Sequence, residues 1–262
     1  MITDNYTMGR GEAWFAPFSD PVAKTLPEGG GFRFLGNVPT FNLSIAADTY
    51  QHYKSTRGIR EKDLTVTLQA NRTATITAED ISADNIALFF MGTTATVSQA
   101  ASTGNSETFG NVMPGNKYQV GISATAPTGL RGLLNPVLKA GTTTLVVGTD
   151  YVIDPVRGTF DILIGGAVPA SGSSVTLTYD LSATTRVQSI SGASTVSGAL
   201  KFVSYNAVGD NIDYFMPYVT MSPNGSFALI ADTLQALPLT IGVQVLGNQA
   251  ALYADGQPVA GV

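Results

Sequence analysis

The chain has 262 residues, no cysteine, one histidine, and 14 basic against 19 acidic side chains, so only 13% of it is charged. The missing cysteine excludes disulfide scaffolds and thiolate metal sites, and 12 Phe with 10 Tyr are too many for a disordered chain. A net charge of −5 argues against a binder held to nucleic acid by phosphate neutralisation, and the length suits one large all-β domain or two smaller ones.

The first residues are polar and lack a basic start followed by an apolar run, so no signal peptide is expected. The stretch Leu239–Leu246 is far short of the ~20 apolar residues of a membrane helix. Residues 1–36 are punctuated by Pro17, Pro21, Pro27 and Gly29-Gly30-Gly31. They read as an extended N-terminal arm that packs through Trp14, Phe15 and Phe18, with residues 37–262 as the β domain. Thr40–Ala46, Leu64–Ala70 and Thr73–Thr77 alternate apolar with polar residues, the mark of half-buried antiparallel strands. Their polar faces carry hydroxyls and amides but no charge, which fits either a Thr-rich outer face or the wall of a pore.

Ala47–Asp63, between the first two strands, is expected to be a long loop. It holds seven charged residues, His52 and two tyrosines, and connections longer than ~12–15 residues in compact domains are usually functional or disordered. Its Tyr/Arg mixture is that of a protein-contact surface. One helix is expected after Thr77-Ala78-Glu79-Asp80, which has capping-box spacing, with Ile86, Phe89 and Phe90 as its core stripe and Gly92 at its C-cap. Further strands are read over Thr143–Ile153, Thr159–Ile164 and Val175–Leu181, the first two joined by an Asp154–Gly158 turn. After a small-residue connector, Ser182–Gly198, a meander of Leu200–Asn206, Tyr214–Met221 and Ser226–Ile230 completes the reading.

No catalytic constellation emerges. The chain has no nucleophile elbow, no phosphate-binding glycine loop with its lysine and no histidine-rich metal spacing. Asp150, Asp154, Asp161 and Asp180 could pair as carboxylates for glycoside hydrolysis or bind calcium. Each sits at or beside an expected turn, where aspartate is favoured for its backbone hydrogen bonds. The reading is therefore of a non-enzyme with no catalytic, metal or cofactor-binding residues. A sheet with a neutral polar face and a charged projection suits head-to-tail contacts between copies, which close into rings when the rotation allows.

Taken in order, several segments resemble the major tail tube protein of long-tailed, non-contractile bacteriophages. They are Leu35–Leu43, Asp48–Ser55, Arg60-Glu61-Lys62-Asp63 with the Thr-rich strand after it, Asp80–Leu88, Asn116–Gly121, Asp150–Asp154 with Gly158-Thr159-Phe160, Gly198–Phe202 and Tyr218–Asn224. The resemblance implies a mainly β fold, a sandwich or barrel with one flanking helix; residues 137–181 fit the family's minimal fold least well and are expected as an outer elaboration on it. It further implies hexameric rings stacked into a tube, with strands of all six subunits forming an inner β-barrel. The partners would be other copies, tape-measure protein, and the tail terminator and distal tail proteins. Double-stranded DNA would pass transiently through the lumen. The protein would be made in a bacterial cytoplasm and reside in the virion. By position, Tyr50, His52, Tyr53, Arg57, Arg60 and Lys62 would be inter-ring stacking contacts, and Thr40, Asn42, Ser44, Thr65, Thr67 and Gln69 would face the lumen.

A lysine-lined bore would hold DNA through counterion release. Residues 1–64 carry 7 acidic and 7 basic groups, and residues 65–262 carry 12 acidic and 7 basic. A neutral-to-acidic lumen is therefore expected. The alternatives are an Hcp-like secretion-system tube subunit, sharing the ring architecture, and a monomeric adhesin or carbohydrate-binding β-sandwich.

Overall fold

The computed structural model describes residues 6–26, 29–56 and 58–256. Alternating Val, Ile, Thr and aromatic residues suit a pleated, half-buried surface, and the described residues are mainly β with a single helix. The strands begin with β1 (Gly11–Pro17), β2 (Arg33–Phe34), β3 (Thr40–Lys54) and β4 (Glu61–Ala78), followed by the helix α1 (Ala83–Phe89). Next come β5 (Thr93–Gln99), β6 (Ser102–Val112), β7 (Lys117–Gln119), β8 (Leu133–Ala140), β9 (Thr143–Thr144), β10 (Tyr151–Asp154) and β11 (Thr159–Ile162). The last six are β12 (Ser173–Leu181), β13 (Thr184–Ile190), β14 (Val196–Ser204), β15 (Ile212–Pro223), β16 (Leu237–Gln244) and β17 (Tyr253–Gly256). Two compact units result, one made of the residues up to Ala95 with those from Ser189, the other of Thr96–Gln188. The second unit contains 137–181 and starts well before it.

The first unit is built on one antiparallel sheet in the order β2-β1-β14-β15-β16-β4-β3, with β17 also paired to β15. Its core includes Phe15, Leu35, Ile76, Leu200, Met216, Met221 and Ile241. Residues 11–17 are therefore not an arm laid on a domain. β1 lies inside the sheet, paired to β14 from Gly11↔Ser204 to Pro17↔Gly198. Phe15 is fully buried, an apolar burial of about 1.5–3 kcal/mol. Phe18 is buried and lies 5.8 Å from the Tyr218 ring. Trp14 points to the other face, 5.2 Å from Phe34, and its indole N–H donates to Glu12 Oε2 at 3.1 Å.

The helix starts later than its capping-box spacing suggested, because Thr77 is still part of β4. Ser82 is the N-cap, accepting the Asn85 N–H. The buried residues are Asn85, Ala87 and Leu88 rather than the stripe of Ile86, Phe89 and Phe90. The docking group is polar. Asn85 Nδ2 donates to the carbonyls of Leu35 (3.0 Å) and Asp80 (2.8 Å), and its Oδ1 accepts Arg33 Nη1 at 2.7 Å. Met91, not Gly92, takes the left-handed conformation after the helix (φ 50°). Gly92 is required for another reason: a Cβ there would collide with the Ile190 carbonyl.

The second unit has its own core, with Val112, Leu138, Tyr151, Phe160, Ile162, Val175 and Leu177 among its members. They lie between a four-stranded sheet, β6-β12-β8-β9, and a three-stranded one, β10-β11-β7. The expected strand Thr143–Ile153 is interrupted, and β13 runs through the expected connector. Buried Asp150 causes the interruption, its carboxylate accepting the N–H groups of Val146 (2.7 Å) and Ala167 (2.8 Å). The Asp154–Gly158 turn stands as read, with Arg157 N–H and Nη1 both donating to Asp154.

Three carboxylates of this unit are held below their ordinary value of 3.8. Asp150 is lowered by the N–H groups of Val146 and Ala167, Asp154 by the backbone and guanidinium of Arg157, and Asp180 by the Gly104 N–H and the Asn135 amide. A depressed folded-state pKa stabilises above the unfolded value and is lost as pH falls through the folded one. Urea denaturation followed by circular dichroism is expected to show a midpoint for this unit that is flat from about pH 7 to 5 and falls below about pH 4. Asp150→Asn should flatten that acid slope, and an unchanged slope would remove Asp150 from it.

Candidate functional site

β3 and β4 are far longer than the strands that flank them. The expected loop Ala47–Asp63 is mostly strand, with pairing continuing through Lys54↔Glu61, because Thr49-Tyr50-Gln51-His52-Tyr53 and Leu64–Thr67 alternate as well as their neighbours do. Leu64–Ala70 and Thr73–Thr77 likewise form one strand. Among the described residues of the hairpin, Ser55, Thr56 and 58–60 at the tip lie outside the strands. Arg57, expected as a stacking contact, lies outside the described residues.

Beyond Val243↔Arg72 the hairpin leaves β16 behind and runs on as two strands alone. A two-stranded ribbon is marginal in water, and this one exposes Leu64 (51%), Val66 (41%) and Leu68 (65%). β3 is also the sheet's edge, with one row of backbone N–H and C=O groups unpaired, a template for pairing with another chain.

A bulge divides the hairpin in two. Asp48 faces Gln69 but Thr49 faces Thr67, leaving Leu68 as the extra residue. Directly opposed residues share a face and one extra residue reverses the alternation. Below the bulge, Thr40, Asn42, Ser44 and Asp48 share one face with Thr77, Thr75, Thr73 and Gln69. Leu43 and Ile45 share the other face with Ala74 and Arg72. Above it the polarity changes sides. Tyr50 and His52 now oppose Val66 and Leu64 on the first face, and Thr67 and Thr65 oppose Thr49 and Gln51 on the second. The six residues expected to line a lumen therefore do not share a face. Thr40, Asn42, Ser44 and Gln69 do, whereas Thr65 and Thr67 project from the opposite one.

The stacking candidates are divided in the same way. Tyr50 and His52 share a face, and His52 Nδ1 lies 2.6 Å from Oδ1 of Asp63, the residue at a second bulge. Tyr53 opposes Lys62 on the other face, donates its hydroxyl to Gln51 Oε1 at 2.9 Å, and has the Arg60 guanidinium 6.0 Å from its ring centre. That Leu68 and Asp63 stand at bulges is not legible in the sequence, because a bulge is set by pairing across strands rather than by periodicity along one.

The polar face continues across the sheet. Thr77, Thr75 and Thr73 oppose Pro238, Thr240 and Gly242; Ser222 and Thr220 lie beyond Thr240 and Gly242, and Tyr218 beyond Gln244. Asp48 is the only charged residue among these positions. Phe18 and Lys24 cover Tyr218, the Lys24 Nζ 4.4 Å above its ring, so the open area spans β3, β4 and β16. On the core side, Phe41, Leu43, Phe202, Tyr214 and Met216 line an apolar cavity of about 250 Å³.

The four aspartates considered for catalysis or calcium are each engaged singly. Asp150 and Asp154 hold turns, Asp161 pairs with Lys117 at 3.0 Å, and Asp180 accepts Gly104 N–H at 2.8 Å and Asn135 Nδ2 at 3.1 Å. Among the described residues no group of three or more His, Cys, Asp or Glu could hold a metal ion, and no helix is long and apolar enough to cross a membrane.

The profile of one protein family, described as protein of unknown function UCP028589, matches residues 6–246. The chain belongs to that family. No curated protein matches it. The family match spans the hairpin, the second unit and β16, so the surface described above lies within the family's extent.

Proposed function

We infer that the protein is a structural subunit that associates with copies of itself into stacked rings, forming a tube of the kind found in long-tailed bacteriophages. The observation that carries this reading is the β3–β4 hairpin. It is a long ribbon with an unpaired edge and apolar side chains on both faces, which water disfavours and which neighbouring subunits would cover. The uncharged area of Thr40, Asn42, Ser44, Thr73, Thr75, Thr77 and Thr240 is the surface best suited to a lumen. It offers hydroxyls and amides and no Lys or Arg to retain duplex DNA by counterion release. Partners of the reading remain tape-measure protein and the proteins that cap the tube. Virion residence and a host cytoplasm as the place of synthesis belong to the same proposal.

Electron microscopy of the purified protein tests it. Rings or tubes are expected, with Asn42 and Thr75 on the inner wall of a reconstruction. A chain that stays monomeric at high concentration would falsify the reading, and a wall with those two residues outermost would overturn the lumen assignment alone.

A further inference from the structure

We propose that Leu229 and Ile230 form an apolar knob that seats in the cavity of Phe41, Leu43, Phe202, Tyr214 and Met216 on a second copy of the chain. The proposal rests on the self-assembly reading above and specifies one of its contacts. Residues 224–236 join β15 to β16, and Ser226–Ile230 there is not the strand its apolar run suggested. Ile230 is 97% exposed and Leu229 75%, an arrangement with no intramolecular reason.

The segment is nevertheless held in shape. Phe227 is anchored on Phe89, ring centres 5.9 Å apart, and Gln235 Nε2 donates to the carbonyls of Ala228 (3.0 Å) and Leu229 (3.4 Å). The loop thus presents two branched aliphatic side chains on a supported base, which lowers the ordering cost of binding.

The cavity is apolar and of a size for one or two such side chains, about 250 Å³. Ile230 and Leu229 stay exposed and Leu43 at the cavity is itself 39% exposed, so the knob does not occupy the cavity of its own chain. A protruding patch and a pocket elsewhere on one molecule make a heterologous, head-to-tail contact.

Charge agrees with the pairing. Asp232 is the only charged residue of 224–236. Arg72, which makes no salt bridge among the described residues, shares the cavity's face of the hairpin beside Leu43 and Ile45. Two or three side chains fall well short of the ~800 Å² per partner of a stable pair. The contact is therefore effective when repeated around a ring, where each link raises the local concentration of the next.

The absence of cysteine makes the test direct. Ile230→Cys and Leu43→Cys are prepared as separate proteins, mixed under assembly conditions and oxidised. A cross-linked dimer in the mixture, with little from either protein alone, supports the head-to-tail knob. Dimers from Ile230→Cys alone would mean an isologous contact and overturn it. Assembly without any cross-link overturns it too, while leaving the self-assembly reading intact. A wild-type chain that never associates defeats both. In parallel, Ile230→Asp should raise the concentration needed for assembly at least tenfold with an unchanged circular dichroism spectrum, and normal assembly by a folded Ile230→Asp protein counts against the knob.

Discussion

A chain lacking Gln51–Arg60 is expected to fold normally and to lose its assembly. The deletion leaves the Tyr50↔Val66 pair in place and closes it with Glu61–Thr65, a permissible hairpin loop length. The sheet core of Phe15, Ile76, Leu200 and Ile241 is untouched, so the strand signal in circular dichroism should persist. What disappears is the exposed outer ribbon with His52, Tyr53, Ile59 and Arg60. The concentration for half-assembly should rise about 100-fold or more, equivalent to about 2.8 kcal/mol per subunit added. Sedimentation velocity across a concentration series reads this. Tubes of normal length from the shortened chain would remove the distal hairpin from the contact surface.

The second large effect is on stability. Asn85→Leu keeps the side-chain size and leaves the Leu35 and Asp80 carbonyls and the Arg33 guanidinium each short of a partner. Burial already lowers the Arg33 pKa, against the raising influence of Asp84 and Asp80, so an unpartnered guanidinium there is costly. Unsatisfied buried groups cost about 1–3 kcal/mol each. The first unit is therefore expected to lose about 3 kcal/mol or more. Trp14, the sole tryptophan, belongs to β1 in that unit, so its fluorescence in urea follows this transition selectively. A loss below about 1 kcal/mol would show that Asn85 is not the hub of the helix dock.

The polar hub was invisible in the sequence because Asn85 stands in a helix beside Ile86, Leu88 and Phe89, where apolar spacing draws attention to the wrong face. Its partners, Arg33 and Leu35, come from the segment that proline and glycine marked as an arm. The same misreading hid β1: Trp14, Phe15 and Phe18 were recognisable as packing residues, but only β14 on one side and β2 on the other make that stretch a sheet strand. Ser226–Ile230 reads as a strand for the converse reason. An apolar run carries no local sign of having no strand to pair with, and β16 passes to β15 and β4 instead.

Period-two alternation, scarce charge and the absence of cysteine determined by themselves that this chain would be mainly β, free of disulfides and thiolate metal sites, and marked by one unusual stretch between Thr40 and Thr77. These are properties of the residues and their immediate neighbours, set by strand geometry and by which side chains water rejects. The tertiary structure alone decided that most of Ala47–Asp63 is a ribbon rather than a loop and that the hairpin's apolar face changes sides at Leu68. It also decided that Thr65 and Thr67 part company with Thr40, Asn42 and Ser44. Each of those outcomes depends on register between strands, where one extra residue opposite Asp48 and Thr49 turns every later side chain to the other face.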